Sequence, residues 1–314
     1  MDGVLVVDKP VGPTSHDVVA KVRRALKEKK VGHTGTLDPM ATGVLPLVLG
    51  RATKIARFLT GSRKVYAATI RLGRSTTTMD AEGETLEEHP VAVSEAQIRS
   101  VLEAFRGDIE QIPPMYSAKK LDGRPLYELA RQGVEVEREP KQVHIHDIQL
   151  QQLASPDVQV HLTCSAGTYV RALAHDVGAK LGCGGHLFAL RRIGSGVFAQ
   201  DDAVPLEQVM QSPQTAREQI LPLSRALREL PSVDVPKHLG RMLVQGHQLT
   251  VADLRAADVT AFGPDAYVTL SMGDGQLLAV ARSLIGTDAL GQARRDAQAL
   301  KTERVVTTAQ ELGV

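Results

Sequence analysis

Cysteine is scarce in this chain: Cys164 and Cys183 are its only thiols among 314 residues. Two cysteines cannot build a disulfide framework, their rarity fits a reducing compartment, and neither is a strong nucleophile candidate. Long apolar runs are missing too, and none approaches the roughly 18 residues of a membrane span. The opening Met1-Asp2-Gly3-Val4 lacks the basic lead and apolar core of a secretory leader, so a soluble, cytoplasmic protein is expected. Several chemistries lack their motifs. A phosphate-cradling P-loop needs Gly-Lys-Ser/Thr, and here Gly43 is followed by Val44 and Leu45. Thr34-Gly35-Thr36 lacks the acid that phosphate-accepting aspartate loops carry two residues earlier, a place held by Gly32. His161, Cys164, His175, Cys183 and His186 include no pair at the tight spacing of a structural zinc site, so no metal is expected. No second carboxylate stands at a spacing that suggests paired acid and base chemistry.

Net charge is nearly absent as well, at +1, but its distribution is uneven. Residues 1–74 hold 14 Lys/Arg against 5 Asp/Glu, a net +9, which leaves −8 on the remainder. Such an excess suits a polyanion, with RNA the natural candidate, although Lys27, Lys29 and Lys30 alone could be a solvated helix face. The hydrophobic content of 43% supports a full core, and the length suggests roughly two domains.

Within the basic segment, Gly32-His33-Thr34-Gly35-Thr36-Leu37-Asp38-Pro39-Met40-Ala41-Thr42-Gly43 places one carboxylate, Asp38, among glycines and a proline. The apolar run Val44 to Leu49 follows and anchors the loop while its tip faces outward. Asp before Pro also initiates ordinary turns, so the loop alone leaves a structural role open. A single aspartate with a basic partner fits the composition best: an arginine beside Asp38 would favour its charged form and a nucleophilic role. Arg171 is a candidate partner, the alternative being a surface helix residue.

The organisation follows from periodicity and caps. Gly3 to Asp8 is expected as a strand, and Thr14 with Asp17 as a capping box opening a helix that buries Val18, Val19, Val22 and Leu26. A helix is expected through Ile55 and Leu59, then a strand over residues 65–72 with Tyr66 on the same side as Ala68, Ile70 and Leu72. Residues 80–95 are acidic and expected to be exposed. Ser94 with Gln97 marks another helix start. Pro113 to Lys120 suggests an extended arm, followed by a short helix near Leu126 to Ala130. Alternation over residues 158–164 and helical spacing from Val170 to Leu181 predict a strand and a helix, with Tyr169 and Arg171 in the first turn. Two prolines near residues 231–236 suggest a boundary, and Gly273-Asp274-Gly275 a hairpin in a smaller second unit.

Several separated motifs then agree with one family. Lys9-Pro10-Val11-Gly12-Pro13-Thr14-Ser15, the segment Gly32 to Pro46, Lys64-Val65-Tyr66, Pro113-Pro114-Met115-Tyr116-Ser117-Ala118, Gly167-Thr168-Tyr169-Val170-Arg171, Gly185-His186 and Leu190-Arg191-Arg192 occur in order. The chain resembles the bacterial tRNA pseudouridine-55 synthase (TruB) family over about its first 200 residues, and more loosely beyond residue 230. The resemblance implies an α+β pseudouridine synthase fold: a mixed, largely antiparallel central sheet flanked by helices over residues 1–230, with an RNA-gripping insertion at about 113–142. A small, mostly β, PUA-like RNA-binding domain and tail are implied over residues 231–314. Asp38 is implied as the nucleophile, Arg171 as its partner, Tyr66 as the ring that stacks on uracil and Tyr169 as a pocket residue. His33 is implied to fill the space left by a flipped-out uridine. Lys9, Lys64, Lys119, Lys120 and Leu190 are implied as RNA contacts. The isomerisation needs neither metal nor cofactor, and the implied partner is the T arm and loop of tRNA. A monomer with no membrane and no obligatory protein partner is expected. An RNA chaperone and a guide-RNA-dependent synthase are the competing readings.

Overall fold

The computed structural model describes residues 1–117, 120–121, 123–273 and 275–312. Strands Gly3–Lys9 and Thr42–Leu49 pair antiparallel along their length, Gly3 opposite Leu49 and Lys9 opposite Gly43. Their continuous apolar sequences reflect burial on both faces. Leu5, Val7, Leu45 and Leu47 point into the main core with the helix Ser15–Leu26, while Val4, Val6, Val44 and Val48 point into a second core on the opposite face. Strand Lys64–Leu72 alternates instead, burying Tyr66, Ala68, Ile70 and Leu72 as expected.

Across the first sheet the order is Val204–Pro205, Gly3–Lys9, Thr42–Leu49, Gly185–Ser195, Lys64–Leu72, Asp157–Cys164, Lys141–Ala154, Gly107–Gln111. Two of these neighbouring pairs are parallel, Gly3–Lys9 with Val204–Pro205 and Thr42–Leu49 with Gly185–Ser195. The others are antiparallel, giving the mixed, largely antiparallel sheet that was expected. The second parallel pair joins only Arg191 to Thr42 and Arg192 to Gly43, so the sheet parts just before Thr42, where the Asp38 loop enters.

Both expected capping boxes are present, at Thr14 with Asp17 and at Ser94 with Gln97. The helix expected through Ile55 and Leu59 is instead a 3-10 turn, Gly50–Ile55, followed by a short helix, Ala56–Thr60. Gly50 has φ +57, and the Thr53 hydroxyl donates back to the Gly50 carbonyl at 2.7 Å, which tightens the turn.

A second sheet has the order Asp258–Val259, Ser232–Val235, Tyr267–Met272, Gln276–Ser283, Leu300–Val305. Its expected hairpin pairs Met272 with Gln276; Asp274, at the turn, lies outside the described residues. Leu277, Val280 and Val306 enter the second core beside Ala52, Ile55 and Leu59. Arg57 pairs with Glu303 and Arg51 with Glu311 around that junction. Among the described residues, no helix is long and apolar enough to cross a membrane.

Candidate active site

The Asp38 loop leaves the short strand Val31–His33 and returns as Thr42–Leu49, the strand with which Val31–His33 pairs, so both ends are fixed. Two motifs distant from each other in sequence hold what lies between. Ser15 Oγ accepts from the Leu37 amide at 2.8 Å and donates to the Leu37 carbonyl at 3.0 Å. Lys9 Nζ donates to the carbonyls of Ala41, Pro10 and Pro39 at 2.7, 3.0 and 3.1 Å, and the Gly12 amide donates to Pro39 at 2.9 Å. The buried Arg192 guanidinium donates to the carbonyls of Val44, Gly35 and Thr36 at 2.7, 3.1 and 3.3 Å. Gly43 has φ +100, and a Cβ there would lie 2.1 Å from the Arg192 carbonyl oxygen, so only glycine lets these strands close behind the loop.

Asp38 and Arg171 are brought together as expected: Arg171 Nε lies 2.9 Å from Asp38 Oδ2. Arg171 opens the helix Val170–Lys180 and is buried rather than exposed, whereas the Asp38 side chain is 38% accessible. The guanidinium is held from three other sides. Its Nη1 lies 3.3 Å from Asp80 Oδ2 and 3.3 Å from the Thr78 carbonyl, and its Nη2 donates to the Tyr116 carbonyl at 2.8 Å. Asp80 is itself fixed by the Thr78 hydroxyl and by the Glu82 amide at 3.1 Å. The charged head of Arg171 therefore has little freedom, and the accessible carboxylate it faces is Asp38.

These groups open on a pocket of about 290 Å³ whose lining includes Asp38, Lys64, Tyr66, Tyr169, Arg171 and Leu190. Burial pushes the Tyr66 phenol above its usual range, which favours a neutral ring. Tyr169 precedes the helix and is pinned by Gln111, which accepts from its amide at 3.0 Å and donates to its carbonyl at 3.3 Å.

The sequence expectations need three corrections. Lys9 is fully buried and its ammonium is engaged by three carbonyls, so it braces the loop and is not a phosphate contact. Burial lowers its pKa to about 8, against the opposing pull of Asp38. Lys64 lines the pocket but turns its ammonium to the Ser62 carbonyl and hydroxyl at 2.7 and 2.9 Å; it is 5% exposed, its pKa is lowered by burial to about 8, and it too is unavailable as a surface phosphate contact. Asp80 departs from the exposed acidic stretch assigned to residues 80–95, being 3% exposed beside Arg171. The Thr-x-Asp turn that buries it has no hydrophobic period, which is why pattern reading missed it. His33 lies outside the pocket lining, edge-on to His16 with ring centroids 5.4 Å apart and with a buried, unpartnered Nδ1. Lys119 and the side chain of Lys120 lie outside the described residues. Among the described residues, no cluster of three His, Cys, Asp or Glu side chains is placed to hold a metal.

A central mixed sheet thus parts around one accessible aspartate, backed by a buried arginine and a tyrosine. Solved relatives agree over nearly the whole chain. One is a Cbf5-Nop10-Gar1 complex, with a TM-score of 0.80 and 27% identity over 99% of this chain and 86% of that one. Another is an H/ACA RNP bound to a substrate RNA containing 2'-deoxyuridine, with a TM-score of 0.78 and 26% identity over 98% of this chain and 86% of that one. The TruB family pseudouridylate synthase N-terminal domain matches residues 23–170, and the tRNA pseudouridylate synthase B C-terminal domain matches residues 171–229. A tRNA pseudouridine synthase B of Aromatoleum aromaticum is 45% identical over 293 residues, 93% of this chain and 95% of that protein. One of Syntrophotalea carbinolica is 45% identical over 284 residues, 90% of this chain and 92% of that protein. The chain belongs to the TruB family of tRNA pseudouridine synthases.

Proposed function

We propose that this protein converts the uridine at position 55 of the tRNA T loop to pseudouridine, with Asp38 as nucleophile. The observation that carries the assignment is the accessible Asp38 carboxylate held 2.9 Å from a buried Arg171 in the lining of a pocket of about 290 Å³. Extruding the uridine costs a few kcal/mol, which contacts to the flipped base and its phosphates offset. His33, on the strand entering the loop, takes the space the base vacates. In the pocket Tyr66 stacks on the uracil and Tyr169 and Leu190 close around it. Asp38 attacks ribose C1' or uracil C6, the bond from C1' to N1 breaks, and the base turns. A bond from C1' to C5 then forms, the bond from Asp38 to C1' or C6 breaks to free the carboxylate, C5 loses its proton and N1 gains one. Atoms and electrons balance without an external oxidant or reductant. Buried at high pKa, the Tyr66 phenol is better suited to stacking than to acting as a base.

Residues 1–230 serve as the catalytic domain and residues 231–314 as a PUA-like RNA-binding unit, with the segment 113–142, including Lys119 and Lys120, gripping the T arm. The protein acts in the cytoplasm as a monomer without an obligatory protein partner. An Asp38→Asn protein tests the assignment: product formation is expected to vanish while tRNA affinity stays within a few-fold of the parent. Near-normal turnover would refute Asp38 as nucleophile.

A further inference from the structure

Several arginines of this protein are spoken for. Arg51, Arg57, Arg71, Arg106, Arg191 and Arg225 each pair with a carboxylate. Helix Ser15–Leu26 and its cap differ. Lys21, Arg24 and Lys27 are exposed, recur every third position along one side, and make no ion pair among the described residues. The opposite side of the helix, Val18, Val19, Val22 and Leu26, is buried in the main core, so the cations are held at fixed positions rather than on a mobile tail. Lys21 and Arg24 also line a surface groove of about 430 Å³ with Gly12, Pro13, Asp17 and Ala20. Asp17, the one acid there, is committed to the cap: its Oδ2 accepts from the Thr14 amide at 2.9 Å and from the Thr14 hydroxyl at 2.7 Å.

The groove connects directly to the catalytic loop. Its Gly12 wall donates to the carbonyl of Pro39, the residue after Asp38. Gly12 has φ +106 with open space where a Cβ would sit, so a bulky anion can approach the backbone. From Lys21 to Lys27 the chain rises about 9 Å at 1.5 Å per residue. That span covers about three nucleotides of a helical strand at 3.4 Å each.

We propose that Lys21, Arg24 and Lys27 form a ridge that holds the phosphodiester backbone of the tRNA substrate beside the catalytic loop. Resting on the assignment of a tRNA substrate, this adds a second anchoring surface, remote from the pocket and outside the recognition motifs. Three fixed, exposed cations, two of them on a groove whose Gly12 wall bonds to the residue after Asp38, fit a polyanion.

The test is a triple variant, Lys21→Gln, Arg24→Gln and Lys27→Gln, with tRNA binding measured from 50 to 200 mM salt. Glutamine keeps helix propensity, and an unchanged thermal melt shows that the fold is intact. Losing three phosphate contacts flattens the salt dependence, so over that range the parent loses about 20- to 40-fold more affinity than the variant. The single-turnover rate at saturating tRNA stays at the parental value. A parental salt slope in the variant overturns the ridge, as does an equal loss of slope per charge in a Lys180→Gln control. Failure of the underlying assignment looks different: the unaltered protein would then form no pseudouridine in tRNA at all.

Discussion

Arg171 shares one guanidinium between an accessible carboxylate and a buried one, and the two have different jobs. Asp38 faces the pocket, whereas Asp80 is a positioning residue that, with the Thr78 and Tyr116 carbonyls, stops Arg171 from turning away. An Asp80→Asn substitution keeps the volume but removes the buried charge. The expected outcome is a fall in kcat of about 100-fold with tRNA affinity nearly unchanged, since a displacement near 1 Å can cost that much; an unaltered kcat would deny Asp80 this role. Lys64 gives a second residue-scale expectation. Its folded pKa of about 8 lies below the ordinary 10.5 because burial penalises the ammonium. Below pH 8 both folded and unfolded chains carry that charge and the penalty is present in full. Between pH 8 and 10.5 the folded state sheds the proton while the unfolded state keeps it, so stability rises with pH. Urea unfolding of the parent and of Lys64→Met at pH 7.5 and 9.5 reads this out. The parent should gain on the order of 1 to 2 kcal/mol relative to the variant, and a pH-independent difference would remove Lys64 as the source.

Among the elements, the strand Thr42–Leu49 does most to place the nucleophile, because it closes the loop on one side and meets Gly185–Ser195 on the other. Gly43 is where that meeting is tightest. Gly43→Ala is expected to lower stability by about 2 kcal/mol or more, seen as a drop in melting temperature, since both the positive φ and the Arg192 carbonyl oppose a methyl group. A melt like the parent's would mean that the strands can separate at no cost. Much of this was legible in the sequence: both capping boxes, the alternation that turns Tyr66 inward and the fixed loop around Asp38 follow from local pattern. What was not legible depends on long-range contact. Lys9 and Lys64 look like surface cations because lysine usually is one; only the folded chain brings the Ala41 carbonyl to Lys9, and only the folded chain buries Lys64 in the pocket lining, where its ammonium turns to the nearby Ser62. Asp80 likewise looks solvated until residues 91 positions away in sequence deliver Arg171.

At the scale of the whole molecule, the two sheets share an apolar core. Leu277, Val280 and Val306 pack against Ala52, Ile55 and Leu59, and Thr60, at the end of that same segment, lines the catalytic pocket. The second sheet therefore braces the floor of the site. The most direct measurement is nucleotide-resolution mapping of pseudouridine in an unmodified tRNA transcript incubated with the purified protein alone. A single new pseudouridine at position 55, absent with Asp38→Asn, is the predicted result. Product at another position, or product only when a guide RNA or partner protein is added, would contradict the account.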